Sequence, residues 1–339
     1  MTAVGELPRG AVRQRGLSLV ELLVAMLLGV MLSGGVVAAY LGSKRHYVYE
    51  DQVARVQENG RYAVQLLRRE LAMAGFYGGL RSLAALAPRS TGTDCAAGDW
   101  ALEPGDPVGL VNDHSGNQVP RGVDGVVYTC VSGALVRPGT DLLAVKRTFA
   151  DASMRRGQPS PVLTPGSVET WYLRLRAGAD PGWEPHQPRD LTDPLLSDPL
   201  LSLWEASTRI FFIRRYSNTP GDKLPSLCME VLAGNAMTTR CLVEGVENMQ
   251  LEFGIDTDGD GIANRYRQAP APGDLRRAVT ANIYLLIRSP APIPGYSDTR
   301  SYRLGSRLVP AAEDPFLRRV FSSSTPLSNV AGTRHWRTP

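Results

Sequence analysis

Between Leu22 and Ser43 the chain runs through 22 consecutive uncharged residues, with a single acid, Glu21, at their start. At roughly 1.5 Å per helical residue the run reaches about 33 Å, which matches a hydrocarbon core of ~30 Å. The segment 17–43 therefore reads as one membrane span. Arg9, Arg13 and Arg15 sit just ahead of it, and the positive-inside bias keeps them in the cytoplasm and sends everything after residue 43 to the far side. The order of parts is the reverse of a secretory signal, which is cut behind its apolar core and loses it. Here the small residue Gly16 precedes the core, so a cut between Gly16 and Leu17 removes the leader 1–16 and leaves the apolar helix on the product.

A carboxylate within a spanning helix costs about 2.5 to 3.5 kcal/mol at the bilayer centre and less near an end. Glu21 is therefore expected to have a partner. Cleavage after Gly16 would create an amine at Leu17, one helical turn from Glu21 in its own chain and within reach of Glu21 in a staggered neighbour. Such a pair neutralises both charges and fixes the register between subunits.

The helical pattern continues beyond the span on a changed face. Tyr49, Val53, Val56, Gly60, Ala63, Leu67, Leu71 and Ala74 recur at steps of four and three, and Gly75 stands where a helix C-cap belongs. One helix over 17–75 is expected, its first half in the membrane and its second packed on a domain spanning 76–339.

The string GLSLVELLVAM, residues 16–26, resembles the class III signal of type IV prepilins. That resemblance implies cleavage by prepilin peptidase after Gly16, methylation of the new N-terminus at Leu17, and an assembly role for Glu21. The first mature residue is Leu rather than the usual Phe, and Ala38 stands where major pilins carry a helix-breaking proline; both departures suit a minor subunit. Three further strings, at 57–78, 243–261 and 318–329, resemble the PilW family of minor pilins. The implied fold is α+β and pilin-like, a long N-terminal helix packed on a mainly antiparallel β domain with loop insertions. The implied function is participation in type IV pilus assembly, in an initiation complex or at the tip. Implied partners are prepilin peptidase, other minor pilins and the major pilin, the inner-membrane assembly platform, a tip adhesin, and membrane lipid before assembly. Implied locations are the inner membrane, with the C-terminal domain in the periplasm, and then the pilus. A type II secretion pseudopilin shares the same leader and is the alternative; a Sec-exported enzyme cut before Tyr40 ranks below both.

Candidate strands in the exported part are 142–149, 167–175, 209–216, 226–232, 238–243, 246–255, 278–288 and 320–324, chosen for β-branched content and turn residues between them. The imperfect alternation of 278–288 leaves a helix open there. The proline-rich tracts 158–165, 178–199 and 289–295 read as loops.

All four cysteines, Cys95, Cys130, Cys228 and Cys241, follow the span, in a compartment where disulfides persist. A two-residue turn at Gly234 and Asn235 would set Cys228 opposite Cys241 in a hairpin, as a non-hydrogen-bonded pair with Cα atoms about 4.5 Å apart. Cys95 and Cys130 are then left for each other.

Asp256, Asp258 and Asp260 with Gly261 reproduce the opening of an oxygen-ligand calcium loop, and Asn264 falls at its ninth position. Arg267 occupies the twelfth, where a bidentate Glu belongs, so the loop is no EF-hand. It reads first as an acidic turn before a further strand and second as a calcium site; no other cofactor is expected.

No enzymatic constellation emerges. His46, His114, His186 and His335 are scattered, and Trp100, Trp171, Trp183, Trp204 and Trp336 read as anchors of a core rather than a sugar platform. The formal charge of +4 is modest for 339 residues, and the basic clusters near 265–277 and 312–319 are broken by proline or acid. A dedicated nucleic-acid-binding surface is not supported.

Overall fold

The computed structural model describes residues 18–92, 95, 96, 98–163, 166–193 and 196–330. The chain divides into two compact units, Met1–Asp51 and Gln52–Pro339. In the first, the described residues are helical from Leu19 onward, the opening of α1 (Leu19–Met73). Its leucines, valines and methionines between Leu19 and Leu41 are all exposed, and α1 is long and apolar enough to cross a membrane.

In the second unit, α1 buries Val56, Gly60, Ala63, Leu67 and Leu71, the stripe expected from the spacing. Two members of the expected face depart from it: Tyr49 is exposed and Val53 only half-buried. Two polar side chains share the buried face. Gln52 accepts a hydrogen bond from the Ala291 amide at 3.0 Å, and Glu70 is held by arginines described below. Gly60 is where the helix meets the sheet: a Cβ there would overlap the Phe321 ring. Gly75 ends the helix with φ +78, and its amide donates to Lys146 at 3.0 Å.

Fifteen strands follow: β1 (Val108–His114), β2 (Thr140–Thr148), β3 (Met154–Arg155), β4 (Gln158–Pro159), β5 (Thr170–Arg176), β6 (Gly182–His186), β7 (Leu201–Arg214), β8 (Ser226–Ala233), β9 (Ala236–Glu244), β10 (Val246–Ile255), β11 (Arg265–Arg267), β12 (Ala278–Arg288), β13 (Tyr302–Leu304), β14 (Arg307–Val309) and β15 (Arg318–Pro326). Every described pairing between them is antiparallel. A nine-stranded sheet is organised around β7, whose 14 residues pair with β5 over their first half and with β2 and β8 over their second. A four-stranded sheet runs β11-β10-β12-β15, and β13 and β14 form a separate hairpin.

One core joins all three layers: Leu67 and Leu71 of the helix, Leu143, Val145, Phe211 and Ile213 of the larger sheet, and Leu251, Phe253, Ile283 and Leu285 of the smaller. The segment 278–288 is a strand, β12, with Ala278, Ala281, Ile283, Leu285 and Ile287 in that core. Asp141, at the start of β2, ties the sheets together by accepting the amides of Asp113 at 2.9 Å and Leu251 at 2.7 Å. Burial pushes its pKa up to about 7, against the pull of those two amides toward the charged form.

The proline-rich tracts are not purely loops. β4 lies within 158–165, and β6 together with a short 3-10 helix, Pro188–Thr192, lies within 178–199. β6 forms a hairpin with β5, placing Trp183 beside Tyr77 in a satellite core with Trp171 and Trp204. Apolar burial outweighed proline there, because Pro185 sits on an outer strand whose far edge makes no ladder. Trp100 packs edge-on against Tyr128 in another cluster, so four tryptophans anchor cores, while Trp336 lies outside the described residues.

β8 and β9 form the hairpin expected around Gly234 and Asn235, with φ +62 at Gly234, the first central position. Cys228 and Cys241 are disulfide-bonded with Cα atoms 3.9 Å apart, and Cys95 and Cys130 are bonded with Cα atoms 4.6 Å apart. The first distance is shorter than the expected ~4.5 Å, and the ladder shifts register just before it, between Leu227 and Cys228. Cys228→Ser is expected to destabilise the β domain by about 3 kcal/mol, the chain-entropy value for a loop of this length. An unchanged melting temperature would count against that contribution.

Candidate assembly site

The functional residues expected from sequence fall in two places, the start of α1 and the turn after β10. Gly16 and Leu17, the expected cleavage and methylation positions, lie outside the described residues. Ser18 and Glu21 are described and form a reciprocal cap. The Ser18 amide donates to Glu21 Oε2 at 2.8 Å, and the Glu21 amide donates to Ser18 Oγ at 3.2 Å. This is a capping box: Ser18 is the N-cap, Glu21 the third helical residue, and each satisfies an amide that the first turn would leave without a partner. The S-x-x-E spacing of Ser18 and Glu21 is the sequence signature of this role. Glu21 is thus positioned by its own helix at the N-terminal end of the apolar surface, with its carboxylate on the Ser18 amide.

The acidic turn joins β10 to β11, the further strand expected after it. One oxygen each from Asp256, Asp258 and Asp260 lie within 4.8 Å of one another, with Asp256 buried and the other two exposed. The loop closes on its own donors. Asp256 accepts the amides of Gly259 at 2.6 Å and Gly261 at 3.1 Å, and Asp260 accepts that of Ile262 at 2.8 Å. The Asn264 side chain accepts the Thr257 amide at 2.6 Å and donates to Asp258 at 3.1 Å. Gly259 and Gly261 both take positive φ, at +87 and +85, as the tight turn requires. Each residue of the expected ligand set therefore has a structural role in the turn.

Charged side chains missed by sequence reasoning hold the domain together. On the sheet's helix-facing side, Glu70 of α1 is clasped by Arg147 of β2 through both of its oxygens, at 3.0 and 2.9 Å, and by Arg209 of β7 at 2.5 Å. Beyond the smaller sheet, Arg318 of β15 bonds Glu247 at 2.5 Å and Asp314 at 2.6 and 2.7 Å, and reaches Asp298 at 3.3 Å. Burial works against the Arg318 charge, but the bonds from Asp314 and Glu247 outweigh it and hold the guanidinium more basic than usual. The histidines stay apart from these clusters. Burial lowers the His114 pKa, and His186 lies against the Tyr172 ring in the β5–β6 hairpin. Neither is placed beside a nucleophile.

Residues 12–37 match the prokaryotic N-terminal methylation motif, and residues 210–329 match the family Type IV Pilus-assembly protein W. No curated protein matches the chain. Among solved structures it is similar to a type IV-like pilin from Thermus thermophilus, TTHA1219, at 13% identity over 81% of this chain and 97% of that one; the TM-score of 0.36 is too low to bear on fold or function. The methylation motif falls on the same residues that build the capping box, and the family match takes in the second half of β7, the disulfide-bonded hairpin, the acidic turn and β15. That head is a type IV prepilin methylation motif and that C-terminal module matches the W family of type IV pilus-assembly proteins, and together they support a minor-pilin role in pilus assembly.

Proposed function

We propose that the protein waits in the inner membrane through residues 17–43 with its β domain in the periplasm, is cut after Gly16 by prepilin peptidase and methylated at Leu17. It then enters the nascent filament within an initiation or tip complex of minor pilins. The observation that carries this reading is the fully exposed apolar surface of α1 from Leu19 to Leu41, interrupted by one acid that the helix itself holds at its N-terminal end. Such a surface is at home in lipid, and association with other helices there is driven by packing and by pairing of the few polar groups. Glu21 would exchange or share its capping bonds with a methylated Leu17 amine, its own or a neighbour's, and so set the stagger. The W-family match favours the pilus over the type II secretion machine, and the structural character of that family favours a scaffold over a catalyst.

Glu21→Val is expected to insert in the membrane at least as well as the wild type, and to vanish from sheared filaments when both fractions are immunoblotted. Incorporation equal to the wild type would remove the pairing argument. Intact mass of the membrane-extracted protein should correspond to a methylated chain beginning at Leu17.

For the acidic turn we propose a weak calcium contact at Asp256, Asp258 and Asp260, with Asn264 at its margin, supported by the convergence of three carboxylates. Millimolar calcium is expected to raise the melting temperature of the full-length protein by a few degrees, and Asp258→Asn with Asp260→Asn to abolish the rise. A melting temperature indifferent to calcium would leave the turn as backbone capping alone.

A further inference from the structure

Where the last turns of α1 cross β2 and β7, the side chains surround a cleft of about 550 Å³. Its lining includes Arg68, Arg69, Met73, Arg147, Phe149 and Arg209, with Glu70 also contributing. Arg147 spends its Nε and both terminal nitrogens on Glu70 and the Thr148 carbonyl. Arg209 reaches Glu70 through Nη1, while its Nε is buried with no hydrogen-bond partner. Both guanidiniums lie near the Phe149 ring, at 5.5 and 5.8 Å from its centroid. Arg68 and Arg69 are exposed and carry no ion pair among the described residues. In an adjoining cleft, Glu205 lies beside Arg69 and Phe149. Four guanidiniums thus face two carboxylates, and burial pushes Glu205 toward its neutral form. This excess is local, since the whole chain carries 37 basic against 33 acidic residues.

The cleft gathers more guanidinium than carboxylate charge, and a carboxylate supplied from outside would pair with that excess through the exposed Arg68 and Arg69. The cleft discriminates among anions. Glu70 is fixed in it, so a phosphate dianion would meet roughly twice the repulsion that a single carboxylate meets. Phe149, Met73 and Leu66 also offer apolar wall to the methylenes of a glutamate. We propose that this cleft is a docking pocket for a carboxylate side chain presented by an acidic segment of an adjoining pilus subunit. The proposal rests on the filament reading above for the identity of the partner, and not for the chemistry of the pocket.

The test uses full-length protein in detergent and a labelled, end-capped hexaglutamate peptide, with binding followed by fluorescence anisotropy. The wild type is expected to bind with an affinity that falls as salt rises. Arg68→Ser with Arg69→Ser should weaken binding at least tenfold and flatten the salt dependence, whereas Arg267→Ser with Arg303→Ser, exposed arginines elsewhere, should leave it within twofold. Arg68→Lys with Arg69→Lys, which keeps the charge and loses the planar fork, should fall between. Equal binding by the serine double variant, with an unchanged melt, would overturn the proposal. So would displacement of the peptide by millimolar inorganic phosphate at matched ionic strength, which would make the cleft a phosphate site. Because binding is read on the isolated protein, its failure is distinct from a failure of Glu21→Val to block assembly.

Discussion

Arg318→Ala is expected to lower the stability of the β domain by about 3–5 kcal/mol, the range for breaking a buried pair by removing one partner. The Arg318 side chain is 3% exposed and Asp298, one of its partners, is fully buried. Removing the guanidinium leaves Glu247 with Arg137 at 2.8 Å, Asp298 with Tyr302 and Arg300, and Asp314 with none of its described ion pairs. The segment from Ser289 to Leu317, which carries β13 and β14, would lose the Arg318 side-chain bonds to Asp298 and Asp314. For a unit of this size each kcal/mol moves the melting temperature by about 2–4 °C, so a fall of the order of 10 °C is expected by calorimetry. A melt within 2 °C of wild type would show the network to be dispensable.

Glu70→Ala should have a comparable effect, about 3–5 kcal/mol, for the opposite reason: it strands two cations rather than several anions. Arg147 and Arg209 are 6% and 16% exposed, so neither charge left behind can turn fully to water without opening the contact between α1 and the sheet. The mechanism has its own control. Glu70→Leu combined with Arg147→Met and Arg209→Met removes all three charges and keeps the volume, and should recover most of the loss. Failure of the triple variant to recover would mean that packing of the glutamate stem, and not charge, holds the helix down. Urea denaturation with matched slopes for all variants makes the comparison.

The spine of the fold could be read directly. A helix expected over 17–75 is observed as Leu19–Met73 among the described residues, and β10 and β12 were expected at the bounds they occupy. These elements have strong periodicity or dense β-branched content, signals that survive without tertiary information. The hairpin disulfide was legible because a two-residue turn fixes register by counting. β1 was missed because Val108–His114 carries two glycine or asparagine positions and a left-handed Asp113 at φ +47, chemistry that reads as turn until β2 pairs with it. The first half of β7 was missed for a different reason: Leu201–Thr208 follows a proline-rich tract, and its tryptophan, glutamate and serines alternate only with respect to partners distant in sequence. At the start of α1, the Ser18–Glu21 cap is signalled by the S-x-x-E spacing, whereas an intermolecular pairing of Glu21 has no local signature. The arginine-carboxylate clusters were illegible in principle, because Glu70, Arg147 and Arg209 meet only after three separate elements have packed.

The family match begins at residue 210, partway along β7. The residues before that point carry the β5–β6 hairpin and its tryptophans; those after it carry the disulfide-bonded hairpin and the smaller sheet. One uninterrupted backbone serves both, with no joint at the boundary. The two stretches are therefore mechanically in series, so a pull applied to one is delivered to the other along the single strand β7.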